Sequence, residues 1–488
     1  MPSAFRRICG ILGAYLLGSA GCLLGSEGTG FVGLVNKDGV WWFTAPDGRP
    51  FLSIGANHVE GLYWQSPNNR EFVRQTYGPD LVSADGQIKE GGEAAKKWAT
   101  NVARSFEGAG FNTFGFHNPL SPSLRLASKA YYVVELDLRT PWGWNMTRPQ
   151  LLQAMRRRPT DIFSETFRRS VEANAVESVT PRAADPMLLG YAYTDGPPWT
   201  VSDGPDSAAV KKLSAAERVL HPWCLALMSL PANSAGKQAW LTLMKTRYPT
   251  AEKAGATYGR PSATWESLGA DKDWLTLSDP RQAAADSVAF LDVIMRRWYS
   301  MRHAAIRKHD PHHLILGDKL NMGRDHRYPL ELARSLEAMQ PYVDVINIQY
   351  YAPAEEQVKT LSLLHRLSGK PILNGDTACN PLWEDNPATH TAFYEKLGRT
   401  YADHVTQLFA LPYFIGWHHC GYIRGLRKPY LEALQKGDTK TAKSYEDARH
   451  TYREGFFTEL EEPITPLLAP LSQALRESEQ VHAGAKGK

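Results

Sequence analysis

Two aspartates stand at the ends of apolar runs. Asp195 closes Leu188-Leu189-Gly190-Tyr191-Ala192-Tyr193-Thr194-Asp195, and a stiff Gly196-Pro197-Pro198-Trp199 turn follows at once. Asp376 closes Pro371-Ile372-Leu373-Asn374-Gly375-Asp376. A strand buried on both faces reads as a continuous apolar run. A carboxylate that breaks such a run at its C-terminal end stands where β/α barrels carry their chemistry. Two carboxylates facing one space can divide the work of proton donor and of base or nucleophile. Prolines and a tryptophan beside Asp195 would raise its pKa and suit a donor. Asp376 is then the nucleophile or the base. The plainer role for either residue is to cap the next helix or accept loop N–H groups.

Other polar and aromatic groups stand at comparable positions. Asn57, His58 and Glu60 follow one apolar run, His117 and Asn118 a second, and Glu135 and Asp137 end a third. Glu135 and Asp137 share a face by strand alternation, with Arg139 as a candidate partner. Asp318 clusters with Lys319 and Asn321, where a salt bridge across the rim competes with ligand contact. Gln349, Tyr350 and Tyr351 end a further run, and Trp417, His418 and His419 the last. Tyr350, Tyr351, Trp144, Trp199 and Trp417 are candidate walls of a binding site, although Trp417 can equally face a helical shell. His58, His117, His418 and His419 could ligate a metal, but no HxH or HExxH pattern supports it. The reading calls for hydrogen bonding by these histidines, no metal and no cofactor.

The elements that must position these residues follow from the same runs. Phe51 to His58, Phe111 to Asn118, Tyr131 to Asp137, Leu188 onward, His313 to Asp318, Val343 to Tyr350, Pro371 to Asp376 and Phe414 to His419 read as eight strands separated by helical sequence. That order predicts an α/β fold, a (β/α)8 TIM barrel. Asp38-Gly39 and Asp47-Gly48 mark turns of a short N-terminal β-hairpin that caps it. A helix is expected over Ala94 to Ala109 with Gly110 as its stop, and helical sequence over Pro149 to Ser178. After strand four comes a helical insertion at about 200–309, ending in an amphipathic helix from Ala283 to Lys308. Residues 26–480 are expected to form one domain and 481–488 a disordered tail.

Composition agrees with a globular chain: 43% hydrophobic and 22% charged residues. A net charge of +4 without a Lys/Arg block excludes a nucleic-acid footprint. Arg6 and Arg7, the apolar stretch Ile8 to Leu17, and small residues before Cys22 form a signal peptide over residues 1–25. Cys22 is a candidate lipid-anchor site, with ordinary cleavage as the alternative. The chain is thus expected to be exported by a bacterium: periplasmic, anchored to the outer membrane or secreted. Cys224, Cys379 and Cys420 show no zinc spacing; Cys379 and Cys420 could form a disulfide or remain thiols.

Pro46-Asp47-Gly48-Arg49-Pro50-Phe51-Leu52-Ser53-Ile54-Gly55-Ala56-Asn57-His58 resembles the start of the barrel in agarase-like enzymes of glycoside hydrolase family 50. Trp240-Leu241, Tyr248, Tyr258-Gly259 and Trp265 resemble a stretch shared with family 42 β-galactosidases, as does Ala305 through Asp318. Gly455-Phe456-Phe457 and Pro463-Ile464-Thr465-Pro466-Leu467 resemble the chain ending of such barrels. The resemblance implies a carbohydrate substrate, an acid/base carboxylate after strand four and a nucleophilic carboxylate at strand seven. It also shows a departure: Asp195 falls on the family's Asn position, Gly196 on its Glu position, and Asp376 on the second Glu position. The expectation is an exported glycoside hydrolase for poly- or oligosaccharides, galactose-containing ones included, using Asp195 and Asp376. The alternative is a non-catalytic surface glycan-binding protein on a degenerate barrel. A metal-dependent hydrolase using the rim histidines is the third reading. A carboxyl separation of roughly 5–5.5 Å would imply retention and roughly 6.5–9.5 Å inversion.

Overall fold

The computed structural model describes residues 28–485, apart from 60–66, 84–87, 119, 137–145, 194–198, 202–207, 323–328, 379–389, 424–432, 434–435, 441–454 and 459. The expected roles of Cys22, Glu60, Asp137, Arg139, Trp144, Asp195 and Cys379 therefore concern positions outside the described residues.

The chain opens with β1 (Gly33–Lys37), β2 (Val40–Thr44) and β3 (Pro50–Phe51), an antiparallel sheet with Leu34 opposite Phe43. Asp38 and Gly39 make the turn, both at positive φ, as an Asp-Gly hairpin turn requires. The Trp41 amide donates to the Pro412 carbonyl, just before the last strand, which ties the hairpin to the N-terminal end of the main sheet.

That main sheet has nine parallel strands. They are β4 (Ser53–Ala56), β5 (Thr113–Phe114), β6 (Tyr131–Glu135), β7 (Leu188–Ala192), β8 (Leu314–Gly317), β9 (Leu320–Asn321), β10 (Ile346–Tyr351), β11 (Ile372–Ala378) and β12 (Phe414–His419). Their spatial order is β8-β7-β6-β5-β4-β12-β11-β10-β9. The two ends of this order, β8 and β9, are separated in the chain only by Asp318 and Lys319. Gly317, at φ +73°, breaks the run; β8 pairs with β7 and β9 with β10. The sheet therefore curls round until both its ends lie in one stretch of chain, giving a barrel-like α/β fold.

Strands with apolar side chains on both faces need cover outside and filling inside. Helices supply the cover. One spans Glu93–Gly108 and presents Trp98, Val102 and Phe106 to the core, with Gly110 at φ +96° ending it. Between β7 and β8 the described residues form seven helices, the last and longest being Pro280–His309. Asp279 caps it by accepting from the amides of Arg281 and Gln282, and Arg307, Lys308 and His309 stand in its last turn, where cations suit the helix dipole. Inside the insertion the Lys237 ammonium lies over Trp240 and Trp274, 5.3 and 4.8 Å from their ring centres.

The last helix runs further than expected. The helix Thr465–Ala483 includes residues assigned to a disordered tail, and His482 is wholly buried, bonding the carbonyls of Phe409 and Trp41. No described helix is long and apolar enough to cross a membrane.

Candidate active site at the strand ends

Asp376 is the centre of the site. In β11 the pairing with β10 steps from Ile348–Asn374 to Gln349–Asp376, so Gly375 is an extra, bulged residue. A bulge re-aims the side chain that follows it. Only glycine fits there: a Cβ on Gly375 would lie 2.4 Å from Asn347 Oδ1 and 2.5 Å from the Phe116 ring. Asn374 thus points outward, donating to Gln357 Oε1, and Asp376 points inward.

Three donors surround the Asp376 carboxylate, which is 2% exposed. Lys319 Nζ and Gln349 Nε2 each donate to Oδ2 at 2.8 Å, and the Tyr351 hydroxyl donates to Oδ1 at 2.6 Å. Burial alone would push this carboxyl up. Lys319 foremost, then the Tyr351 hydroxyl, outweigh it and hold the group far below the usual carboxylate range. Burial and the neighbouring anion push the Tyr351 phenol far up, so it stays a donor; its hydroxyl also meets the Cys420 thiol.

His117 links this buried anion to a more open one. Its Nε2 lies 2.9 Å from Lys319 Nζ and 3.9 Å from Asp376 Oδ2; its Nδ1 lies 3.2 Å from Glu135 Oε2. An ammonium only donates. With Lys319 protonated, Nε2 accepts and Nδ1 carries the proton that Glu135 receives. The His117 amide donates to the same oxygen, and about a quarter of the Glu135 side chain is exposed, at 25%. Burial pushes Glu135 up, but the His117 contacts and Lys319 leave it below its ordinary value. Glu135–His117–Lys319–Asp376 is thus one continuous chain of contacts, with two carboxylates at its ends.

His58 stacks on His117, ring centres 4.9 Å apart, and both residues have positive φ, 52° and 59°. Such backbone is uncommon outside glycine and collects at functional sites. Burial, then His117, lowers the His58 pKa to about 4.

The remaining expected site residues fall elsewhere. Asn57 is buried as a strand tie, donating to the Gly375 carbonyl and accepting from the Phe116 amide. His418 fills the interior below the rim. Its Nε2 is 2.8 Å from Ser53 Oγ, whose one proton goes to Thr113 Oγ1, so the imidazole donates. Burial lowers its pKa to about 3. Asp318 is wholly buried against the long helix and accepts from Trp298 Nε1. Tyr350 faces the helix Ala354–Ser368 and donates to Glu356. Trp417 and His419 pack on Tyr401 in the helical shell. Trp199 joins Trp223, Trp298 and Tyr299 in the core of the insertion. These five point away from the Asp376 cluster. Strand alternation separates Tyr350 from Tyr351, while Asp318 and Lys319 diverge in the break between β8 and β9 that follows Gly317. Lys319 and Glu135 take larger parts than sequence reading gave them; their proximity to His117 has no sequence signature. Cys224 and Cys420 are thiols. No group of three or more His, Cys, Asp or Glu side chains suited to a metal occurs among the described residues.

No protein-family model and no curated protein matches the sequence. Solved structures do. The chain is similar to the agarase AgWH50C, with TM-score 0.67 at 14% identity, over 95% of this chain and 66% of that one. It is similar to PfGH50B, with TM-score 0.65 at 14% identity, over 94% and 67%. An exo-β-agarase gives 0.64 at 13% identity, over 93% and 66%. The chain shares the fold of these structures. The chain spans about two thirds of the length of those enzymes, and at such identities the likeness concerns the fold alone.

Proposed function

We propose that the protein is an exported glycoside hydrolase that cleaves O-glycosidic bonds in poly- or oligosaccharides, agar-type galactans being the first to test. We read Leu314–Asn321 as one interrupted strand of a (β/α)8 barrel, with Asp376 in the C-terminal half of strand seven. The observation that carries the reading is the Asp376 carboxylate, kept ionised by Lys319, Gln349 and Tyr351 at that position. A permanent anion serves as nucleophile or base and cannot be the proton donor. Asp195, which follows the Leu188–Ala192 strand in sequence, is the proposed donor. Purified protein is to be incubated with a glycan panel, beside Asp195→Asn and Asp376→Asn. Cleavage by both variants at the wild-type rate would remove both roles.

One observation favours a second reading, a carbohydrate-binding protein without turnover. Both oxygens of Asp376 already have donors from the same chain, and the group is 2% exposed. Binding across the panel with no product would establish it.

A further inference from the structure

Among the described residues the shell leaves a gap on one side of β6. The helix preceding β6 is only Pro122–Ala127, six residues, and a helix that short cannot cover a strand from end to end. An 810 Å3 pocket occupies the space. It begins at His117 and Glu135, at the C-terminal end of β6, and runs to Arg182 and Asp185, just before β7. It follows the strand from Tyr132 to Glu135, about 10 Å at 3.3 Å per residue. Its volume lies in the range of sites that enclose small ligands, roughly 300–1,000 Å3.

The walls indicate what would fit. Leu120, Pro122 and Val134 give an apolar side. Polar groups face it with both signs of charge. Arg125 and Asp185 are paired at 2.7 Å, while Glu177 and Arg182 add one charge each. Arg182 spends one N–H on the Ser178 carbonyl, leaving further donors on its guanidinium fork. An anionic ligand would meet Glu135, Glu177 and Asp185; a cationic one would meet two arginines. A neutral polyol suits both, since its hydroxyls donate and accept while its C–H faces lie on apolar side chains.

We propose that this groove binds a neutral oligosaccharide segment, leading it between the Glu135–His117 end of the site and Arg182. The proposal rests on the carbohydrate reading above and adds the path of the chain. Its test uses neutral agaro-oligosaccharides from disaccharide to octasaccharide. Binding is measured by calorimetry on Asp376→Asn, and cleavage on the otherwise unmodified enzyme. Val134→Trp fills the groove. The pair Glu177→Ala/Arg182→Ala strips its polar side and serves if the first variant fails to fold. Affinity should rise with oligosaccharide length. Either variant should weaken octasaccharide binding about tenfold and leave the disaccharide unchanged. High salt should change little, because the ligand carries no charge. Cleavage with an octasaccharide KM unaffected by both variants sinks the groove alone. Length-dependent binding that the variants abolish, without any cleavage, supports the groove and sinks hydrolysis. Neither binding nor cleavage overturns both.

Discussion

Replacing Lys319 by Met isolates the energy stored at the centre of the site. Asp376 is 2% exposed and Lys319 is not exposed at all, with 2.8 Å between their charged atoms. Removing one partner of so buried a pair leaves an uncompensated charge, which costs about 3–5 kcal/mol. That is a large share of the roughly 5–15 kcal/mol that holds a typical domain together. Gln349 and Tyr351 remain as donors, which places the expected loss at the lower end. The double variant Lys319→Met/Asp376→Asn removes both charges and should recover most of it. The pH dependence is more telling than the size. In the native protein the folded pKa of Asp376 is depressed, so its contribution is present above the unfolded carboxylate pKa and lost as pH falls through the folded value. Burial is already the largest single influence on this carboxyl; with both Lys319 contributions gone, it is expected to exceed what remains and raise the folded pKa. Stability is then fullest below the unfolded pKa and declines as pH rises through the new folded value. Urea unfolding followed by tryptophan fluorescence, from mildly acid to neutral pH, reads both effects; the chain has 14 tryptophans to report. A loss below about 1 kcal/mol at neutral pH, with an unchanged slope, would refute a buried ion pair here.

Three further expectations follow from single contacts. Tyr351→Phe deletes the donor to Asp376 Oδ1 and should cost about 1.5–3 kcal/mol, the range for a hydrogen bond to a charged group, in the same unfolding assay. Gly375→Ala forces a Cβ against Asn347 and the Phe116 ring; overpacking of about 1–3 kcal/mol should appear as a lower melting temperature, with activity falling because the bulge aims Asp376. Burial lowers the Lys237 pKa to about 8, so the unfolded chain binds more protons above that pH; stability should rise from pH 8 towards the ordinary lysine value, and Lys237→Met should flatten the rise.

The strands were legible because each is a short apolar run closed by a turn. Leu188–Ala192 and Phe414–His419 lie where their runs predict. Facing was harder to read. In a strand buried on both sides, the apolar pattern does not distinguish interior from shell. Tyr350 and Tyr351 looked alike in sequence, yet one meets a helix and the other Asp376. Asp318 looked like a rim carboxylate; its neighbour Lys319 is the one that turns inward. Asp376 was found from its run, but the Asn374-Gly375-Asp376 bulge that aims it depends on how β10 and β11 register. The His58–His117 stack depends on two left-handed backbone positions that no sequence period announces.

The order of strands bears on how the chain can be assembled. β4 lies between β5 and β12, and Ser53 on β4 touches His418, 365 residues further along. One edge of the first barrel strand must therefore wait until nearly all of the chain is available. Contacts of such sequence separation form slowly, and an unpaired edge meanwhile invites association with other chains. Closure at β4 and β12 is thus the step at which synthesis rate, chaperone contact and aggregation compete for the same polypeptide.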